Sequence, residues 1–327
     1  MAIDELALIS SARYGESGPP HATWNQLRAQ PLTHVHPEGH EDFWAVTRHA
    51  DIMEISSRPG DFCNGEGIVL LTDEQVARQD ARDIPIMMKT IIEMDPPEHR
   101  DFRKVASGFF TPRGIERLDE IVTEAARGVI DALPMEGEVD VVTEITQRHP
   151  LRVLATILGI EPDQEELLLQ LTAQLFGGDD PELQREGEDR HDAMMALFMD
   201  FYTMFNTIIE DRRANPRDDL ATMLATATLE TGEPMGEMET LGYYLIVFNA
   251  GHDTTRNSLT GGFQALLDNP GELERLKADR GLLKTAVEEI VRWTSPVNYM
   301  KRTATRDLEF GGQQIAKGDR LGLFYAS

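Results

Sequence analysis

Apolar residues recur at three- and four-residue steps through most of the chain, which predicts a mostly helical protein with a few short strands. The longest such pattern covers residues 236–269 and contains no proline. Met238, Leu241, Leu245 and Phe248 form its first stripe, and Leu259, Phe263 and Leu266 resume it. A helix of that length spans roughly 50 Å, enough to cross a domain. In the middle the apolar pattern gives way to Ala250-Gly251-His252-Asp253-Thr254-Thr255. Ala250 and Gly251 remove bulk, so a flat ligand can lie against the backbone there. Asp253 sets an acid beside the Thr254 hydroxyl. A threonine hydroxyl can also bond back to a carbonyl one turn earlier and bend the helix, so a kinked, buried helix accounts for the same residues.

Other elements follow from local signals. A short helix is expected around Trp24 and Leu27, strands at 33–36 and 43–46 joined by Pro37-Glu38-Gly39, and a helix at 49–57. Residues 61–92 carry weak periodicity and read as a long irregular connection. Asp95-Pro96-Pro97-Glu98 predicts a helix start, with Asp95 as cap and Pro96 in the first helical position. That helix sets His99 and Arg103 on one face, a pair suited to a carboxylate or phosphate, or simply a surface pair. Thr111-Pro112 opens the next helix, striped by Ile115, Leu118, Val122, Ala125, Val129 and Leu133. A strand is expected at 139–142, and a helix at 143–158 kinked at His149-Pro150 and stopped by Gly159. Helices at 162–176 and 183–213 follow, separated by Gly177-Gly178-Asp179-Asp180-Pro181. The second is rich in Met194, Met195, Phe198, Met199, Phe201, Met204 and Phe205, either an adaptable lid or ordinary core. After the long helix, residues 282–293 predict a helix with Leu283, Val287 and Ile290 inward and Glu289 and Arg292 as neighbours. From Leu308 onward short strands are expected at 308–310, 314–315 and 320–325.

Composition narrows the function classes. The chain has 327 residues, 41% of them hydrophobic, ample for a large core. A formal net charge of -26 argues against nucleic acid and against an anionic membrane surface. No apolar run is long enough to span a bilayer and no leader precedes the first elements, which gives the expectation of a cytoplasmic protein. The single cysteine, Cys63, forms no internal disulfide and fits a reducing cytosol. His34, His36 and His40 invite a metal reading, but zinc needs three or four fixed ligands and no cysteine accompanies them. Strand-surface histidines are the default, and no metal site is expected.

Four stretches in order make the chain specific. They are Asp95-Pro96-Pro97-Glu98-His99-Arg100-Asp101-Phe102-Arg103, then Ala250 to Thr255, then Glu289-Ile290-Val291-Arg292 ahead of Trp293-Thr294-Ser295-Pro296, then Arg302-Thr303-Ala304 ahead of Gly312 and Lys317-Gly318-Asp319. With this set, covering nearly the whole chain, the sequence resembles cytochromes P-450 of the soluble bacterial type. The resemblance implies a mostly α (α+β) fold: one domain, residues 1–327, built as a helical bundle around a long central helix with small β-sheets. It implies haem b as cofactor, with His99, Arg103 and Arg302 on the propionates and Ala250 and Gly251 flanking the distal face. Asp253 and Thr254 are implied to supply the protons that O–O scission requires, and Glu289 and Arg292 to form a structural ion pair. The implied reaction inserts one oxygen atom of O2 into a C–H bond of a hydrophobic small molecule of steroid, terpenoid or alkyl-chain type. Its electrons come from NAD(P)H through a ferredoxin-type donor and a reductase.

One departure matters. The family holds its iron by a cysteine thiolate in a glycine-rich loop, and the sequence reaches Ser327 before such a loop. Cys63, in Asp61-Phe62-Cys63-Asn64-Gly65, has different surroundings. The expectation is therefore a family member incomplete at its C-terminus, an enzyme when complete and inactive as given. The rivals are a non-catalytic fragment serving as a hydrophobic-binding scaffold, and haem bound without thiolate.

Overall fold

A computed structural model describes residues 3–80, 90–176 and 190–327. In chain order the main elements are α1 (Ser11–Ser17), α2 (His21–Arg28), β1 (Thr33–Val35), β2 (Phe43–Val46), α3 (His49–Ser56), β3 (Phe62–Cys63), α4 (Asp73–Asp80) and α5 (Glu98–Ser107). There follow α6 (Pro112–Asp131), α7 (Arg148–Leu158), α8 (Glu165–Phe176), α9 (Arg190–Ala214), α10 (Leu220–Ala225), α11 (Glu237–Asp268), α12 (Pro270–Ala278) and α13 (Leu283–Thr294). The chain closes with β4 (Tyr299–Ala304), β5 (Leu308–Phe310), β6 (Gln313–Ile315) and β7 (Arg320–Phe324). Two compact units result, Met1–Arg100 with Val297–Ser327, and Asp101–Pro296.

The first unit is built on a five-stranded sheet of order β1-β2-β7-β4-β3. β2 and β7 run parallel, with Trp44 opposite Leu321, and the remaining pairs are antiparallel. Side chains alternate across a strand with a period of two, so β7 sends Leu321 and Leu323 to one apolar cluster and Phe324 to the other. β2 divides in the same way, with Val46 in the first cluster and Phe43 and Ala45 in the second. Gly322 lies where the Phe43 ring presses on β7, and a Cβ there would sit 3.1 Å from that ring, tighter than ordinary contact. β5 and β6 form a separate hairpin.

Several expectations change here. The connection at 61–92 contains β3 and α4, and its residues 81–89 lie outside the described ones. Asp95 does not cap α5: its carboxylate accepts from the backbone N–H groups of Asn64 (2.8 Å) and Gly65 (2.9 Å), and α5 begins at Glu98. The acceptor pair that a cap would use is thus committed to the turn after β3.

In the second unit the sequence pattern is realised by α11, 32 residues long, which packs against α7, α9, α10, α12 and α13. Buried Tyr244 donates to the Ala221 carbonyl at 2.6 Å and Tyr243 to the Phe102 carbonyl at 3.1 Å, so both rings are buried without orphaning a hydroxyl. Glycines set the closest approaches. A Cβ on Gly251 would lie 2.8 Å from Leu154 Cδ2 of α7, and one on Gly262 2.8 Å from Ile290 Cγ2 of α13. Of the stripe expected to face inward on α13, Ile290 is half-buried at this contact, while Leu283 (48%) and Val287 (55%) are exposed. The two helices meet where Gly261 and Gly262 admit Thr294 and Ile290, at the end of α13 away from Leu283.

The strand expected at 139–142 is absent. Val142–Thr146 winds as a π-turn that runs into α7, and Gly159 ends α7 in the left-handed conformation with φ 68°. On α6, Ala125 and Val129 are buried but Ile115 and Val122 are exposed. On α9, Phe201, Met204 and Phe205 are core, and Met194 and Met199 are exposed. The segment 177–189, including the five-residue linker, lies outside the described residues. Charge also enters this core. The Arg212 side chain, 3% exposed, donates through Nε to Asp219 at 2.8 Å and pairs with Asp211, and Asp219 in turn caps α10 by accepting from the Thr222 N–H at 2.7 Å.

Candidate active site

The centre of α11 carries four of the residues singled out from sequence, and they differ in what they face. Ala250 is exposed, whereas Gly251 is turned against Leu154 and serves the contact with α7. The Thr254 hydroxyl donates to the Ala250 carbonyl at 2.7 Å, the back-bond that the sequence allows. Asp253 is half-buried. One carboxylate oxygen is paired with Arg256, and the other accepts from Asn257 Nδ2 at 3.1 Å. Beside this acid and hydroxyl lies a groove of about 380 Å³ between α11 and α13. Its polar rim is Thr254, Thr255 and Ser258, and its wall is Leu259, Val287, Ile290, Val291 and Pro296.

One turn of α11 hides a residue that sequence reading passed over. His252 is fully buried, stacked on Phe248 with ring centroids 5.6 Å apart and planes 10° apart. Its Nε2–H donates to the Gln147 carbonyl at 3.1 Å, and Nδ1 has no partner among the described residues. The signal was present, since His252 continues the Leu241, Leu245, Phe248 stripe by one turn. Burial holds its imidazole below the ordinary value of 6.5, the Gln147 bond opposing this only in part. Burial also lowers His149 of α7. Both rings stay neutral in the fold at pH values where free histidine protonates, so stability is full above about pH 6.5 and falls as pH drops below it. Thermal melts between pH 8 and 5 are expected to show a falling midpoint in that window, with a shallower slope in His252→Gln. An identical slope in the variant contradicts the assignment.

The remaining residues are single-element features. His99 and Arg103 sit one turn apart on α5, half-buried and exposed respectively, and Arg302 lies on β4, donating from Nη1 to the Lys301 carbonyl at 2.8 Å. Among the described residues none of the three has an acid partner. In a chain with 57 acidic and 31 basic side chains, N–H donors left without acids fit a carboxylate-bearing ligand. Glu289 and Arg292 form a bidentate pair at 2.6 and 2.7 Å on the exposed side of α13, the guanidinium bonds holding the Glu289 carboxyl below its usual range. Cys63 pairs in the sheet opposite Thr303, and burial together with nearby Asp95 pushes its thiol up.

Comparison with known proteins decides the family. The chain is 37% identical over 308 residues to cytochrome P450-terp of a Pseudomonas species, a match covering 91% of this chain and 72% of that protein. The chain belongs to the cytochrome P450 family. The family model, cytochrome P450, matches residues 169–327. Linalool 8-monooxygenase of Pseudomonas putida is 36% identical, with 94% of this chain and 75% of that one aligned. The crystal structure of CYP108D1 from Novosphingobium aromaticivorans superposes with a TM-score of 0.87 at 35% identity, covering 98% of this chain and 77% of that chain. The mostly helical fold with small sheets is thus that of the P450s, and haem-dependent monooxygenation of hydrophobic molecules is the chemistry of this family.

Proposed function

We propose that this P450 hydroxylates an apolar small molecule of the terpenoid class, using a ferredoxin-type electron donor and its reductase in the cytoplasm. Steroids and alkyl chains are the neighbouring substrate classes. The observation that carries this reading is the Thr254 hydroxyl at the rim of a groove otherwise walled by aliphatic side chains, with Asp253 next to it in the sequence. The relative named for linalool supports the substrate class. No helix among the described residues is long and apolar enough to cross a membrane.

The donor set fits haem: His99, Arg103 and Arg302 each offer N–H groups suited to propionates, and exposed Ala250 leaves the α11 backbone open to a flat ring. Haem, when bound, supplies the oxidising chemistry. The protein's share is positioning and protons. Thr254 Oγ1 holds a proton now given to the Ala250 carbonyl, and turning that hydroxyl toward the groove makes the proton available there. Asp253, once it releases Arg256 or Asn257, takes up a proton from solvent and passes it to Thr254 Oγ1. The aliphatic wall offers apolar contact to a substrate. Gly251 contributes by letting α7 support α11 at close range. Glu289 and Arg292 pair on the exposed side of α13. Cys63, the sole cysteine of the sequence, pairs opposite Thr303 in the five-stranded sheet, and we assign it no ligand role.

A binding comparison tests the substrate class. Haem-loaded protein is expected to bind linalool-sized terpenoids at least about tenfold more tightly than a sterol, a difference of about 1.4 kcal/mol. Calorimetric titration measures both. Preference for the sterol overturns the terpenoid reading and leaves the family assignment intact.

A further inference from the structure

The β1–β2 hairpin carries a cluster that none of the haem-related residues uses. His34 pairs opposite Trp44 and Val35 opposite Phe43. Continuing that register by one residue sets His36 opposite Asp42. Directly opposed residues share a face of the sheet and neighbours alternate. Val35, Phe43 and Ala45 are therefore buried on one face, and His34, His36, Asp42 and Trp44 stand on the other.

The donor atoms converge there. His34 Nδ1 lies 3.1 Å from His36 Nε2. Asp42 Oδ2 lies 3.5 Å from His34 Nε2 and 3.9 Å from His36 Nδ1. One ligand atom from each residue can be chosen so that all lie within 4.8 Å of one another. Ligand atoms bound tetrahedrally to zinc at about 2.0–2.1 Å are about 3.4 Å apart, so small ring rotations close the set. The surroundings hold it in place. The His34 ring packs against Trp44 at 4.6 Å, Trp44 Nε1 donates to Asp319 Oδ2 at 2.9 Å, and Arg320 Nη1 sits 3.5 Å from Asp42 Oδ1, on the oxygen that does not face the histidines. The His36 backbone N–H donates to Glu5 Oε2 at 2.8 Å, tying down the end of β1. His40, the third histidine of this stretch, is elsewhere engaged, with Nδ1 at 3.1 Å from the Glu38 carbonyl. Asp42 takes its place.

We propose that His34, His36 and Asp42 form a binding site for a divalent transition cation of zinc type, with a fourth position open to solvent. Two imidazoles and one carboxylate suit zinc, cobalt and nickel and disfavour magnesium and calcium, which prefer all-oxygen shells. The cation clips β1, the edge strand of the sheet, to β2. Because it binds the folded hairpin, it stabilises the fold by mass action.

The test is competition for zinc between the full chain and a chromophoric chelator, in a millimolar magnesium background that fills weak acidic sites. One zinc per chain is expected. His34→Ala, His36→Ala and Asp42→Asn are each expected to weaken it by about tenfold or more, and His40→Ala to leave it unchanged. Zinc is expected to raise the melting midpoint of the parent and of His40→Ala, but not of His36→Ala, whose exposed side chain can be removed without disturbing the core. Zinc binding by His36→Ala and Asp42→Asn equal to the parent's, or no zinc bound by the parent under these conditions, overturns the site.

Discussion

Arg212→Ala is expected to lower stability by about 3 kcal/mol or more, the largest single-residue effect on the fold. Removing one member of a buried ion pair leaves the other charge without compensation, which typically costs 3–5 kcal/mol. Arg212 is 3% exposed on its side chain and Asp219 17%, and the two are 2.8 Å apart. The guanidinium also lies over Gly159, the left-handed end of α7, where a Cβ would strike it. It therefore joins the ends of α7 and α9 to the start of α10. Burial alone would raise the Asp219 carboxyl, but the Thr222 bonds and Arg212 hold it below its usual range. A carboxyl lowered in the fold stabilises above about pH 4 and loses that contribution as pH falls through its folded value. Urea unfolding at pH 7 measures the loss directly. A change under about 1 kcal/mol contradicts the role. Arg212→Lys, which keeps charge but not the fork geometry, is expected to fall between.

Thr254→Ala is expected to have the largest effect on turnover with the least on binding. The aliphatic groove wall is untouched, so substrate affinity is expected to stay within about twofold, a difference under 0.5 kcal/mol. In an enzyme that carries the family's cysteine-ligand loop, the proton at Oγ1 is lost, and product per NAD(P)H is expected to drop by about tenfold or more while peroxide rises. Stability should not suffer, because alanine is the better helix former and the lost hydroxyl bond runs to a carbonyl of the same helix. Thr254→Ser, which keeps Oγ, is expected to restore most of the coupling. Unchanged product yield in Thr254→Ala removes Thr254 from the proton route and leaves Asp253 without its nearest relay.

Legibility in the sequence followed how each element is stabilised. α11 was plain because it lies in one unbroken helical period and its centre breaks that period with small and polar residues. β1 and β2 were plain because Pro37-Glu38-Gly39 sets a turn between them, and β7 because the Lys317-Gly318-Asp319 turn precedes it. β4 was not, since Tyr-Met-Lys-Arg-Thr-Ala shows no apolar alternation. Its Lys301 is buried against Glu41 at 3.4 Å, a pairing that only the fold creates. The π-turn at Val142–Thr146 looked like a strand because Val141, Val142 and Thr143 are β-branched and favour extended backbone in isolation. In the fold, Thr146 instead shares a hydrogen bond with Thr260 of α11 at 2.7 Å, which ties the turn to the central helix. Asp95 looked like a cap because its local spacing fits one, and the competing acceptors' partners, Asn64 and Gly65, lie 30 residues upstream. In the centre of α11, sequence singled out Asp253 and Thr254 but not that Gly251 faces α7, nor that His252 is buried. Those depend on which side of α11 meets α7, a tertiary fact.

The most direct measurement is the carbon monoxide difference spectrum of the reduced, haem-loaded 327-residue chain beside its Cys63→Ser variant. The expected result is haem bound by the chain with no thiolate-type band, and identical spectra for parent and variant. A thiolate-type band in the parent that Cys63→Ser abolishes would place the iron at β3, and would contradict both the placement of haem against α11 at Ala250 and the assignment of no ligand role to Cys63.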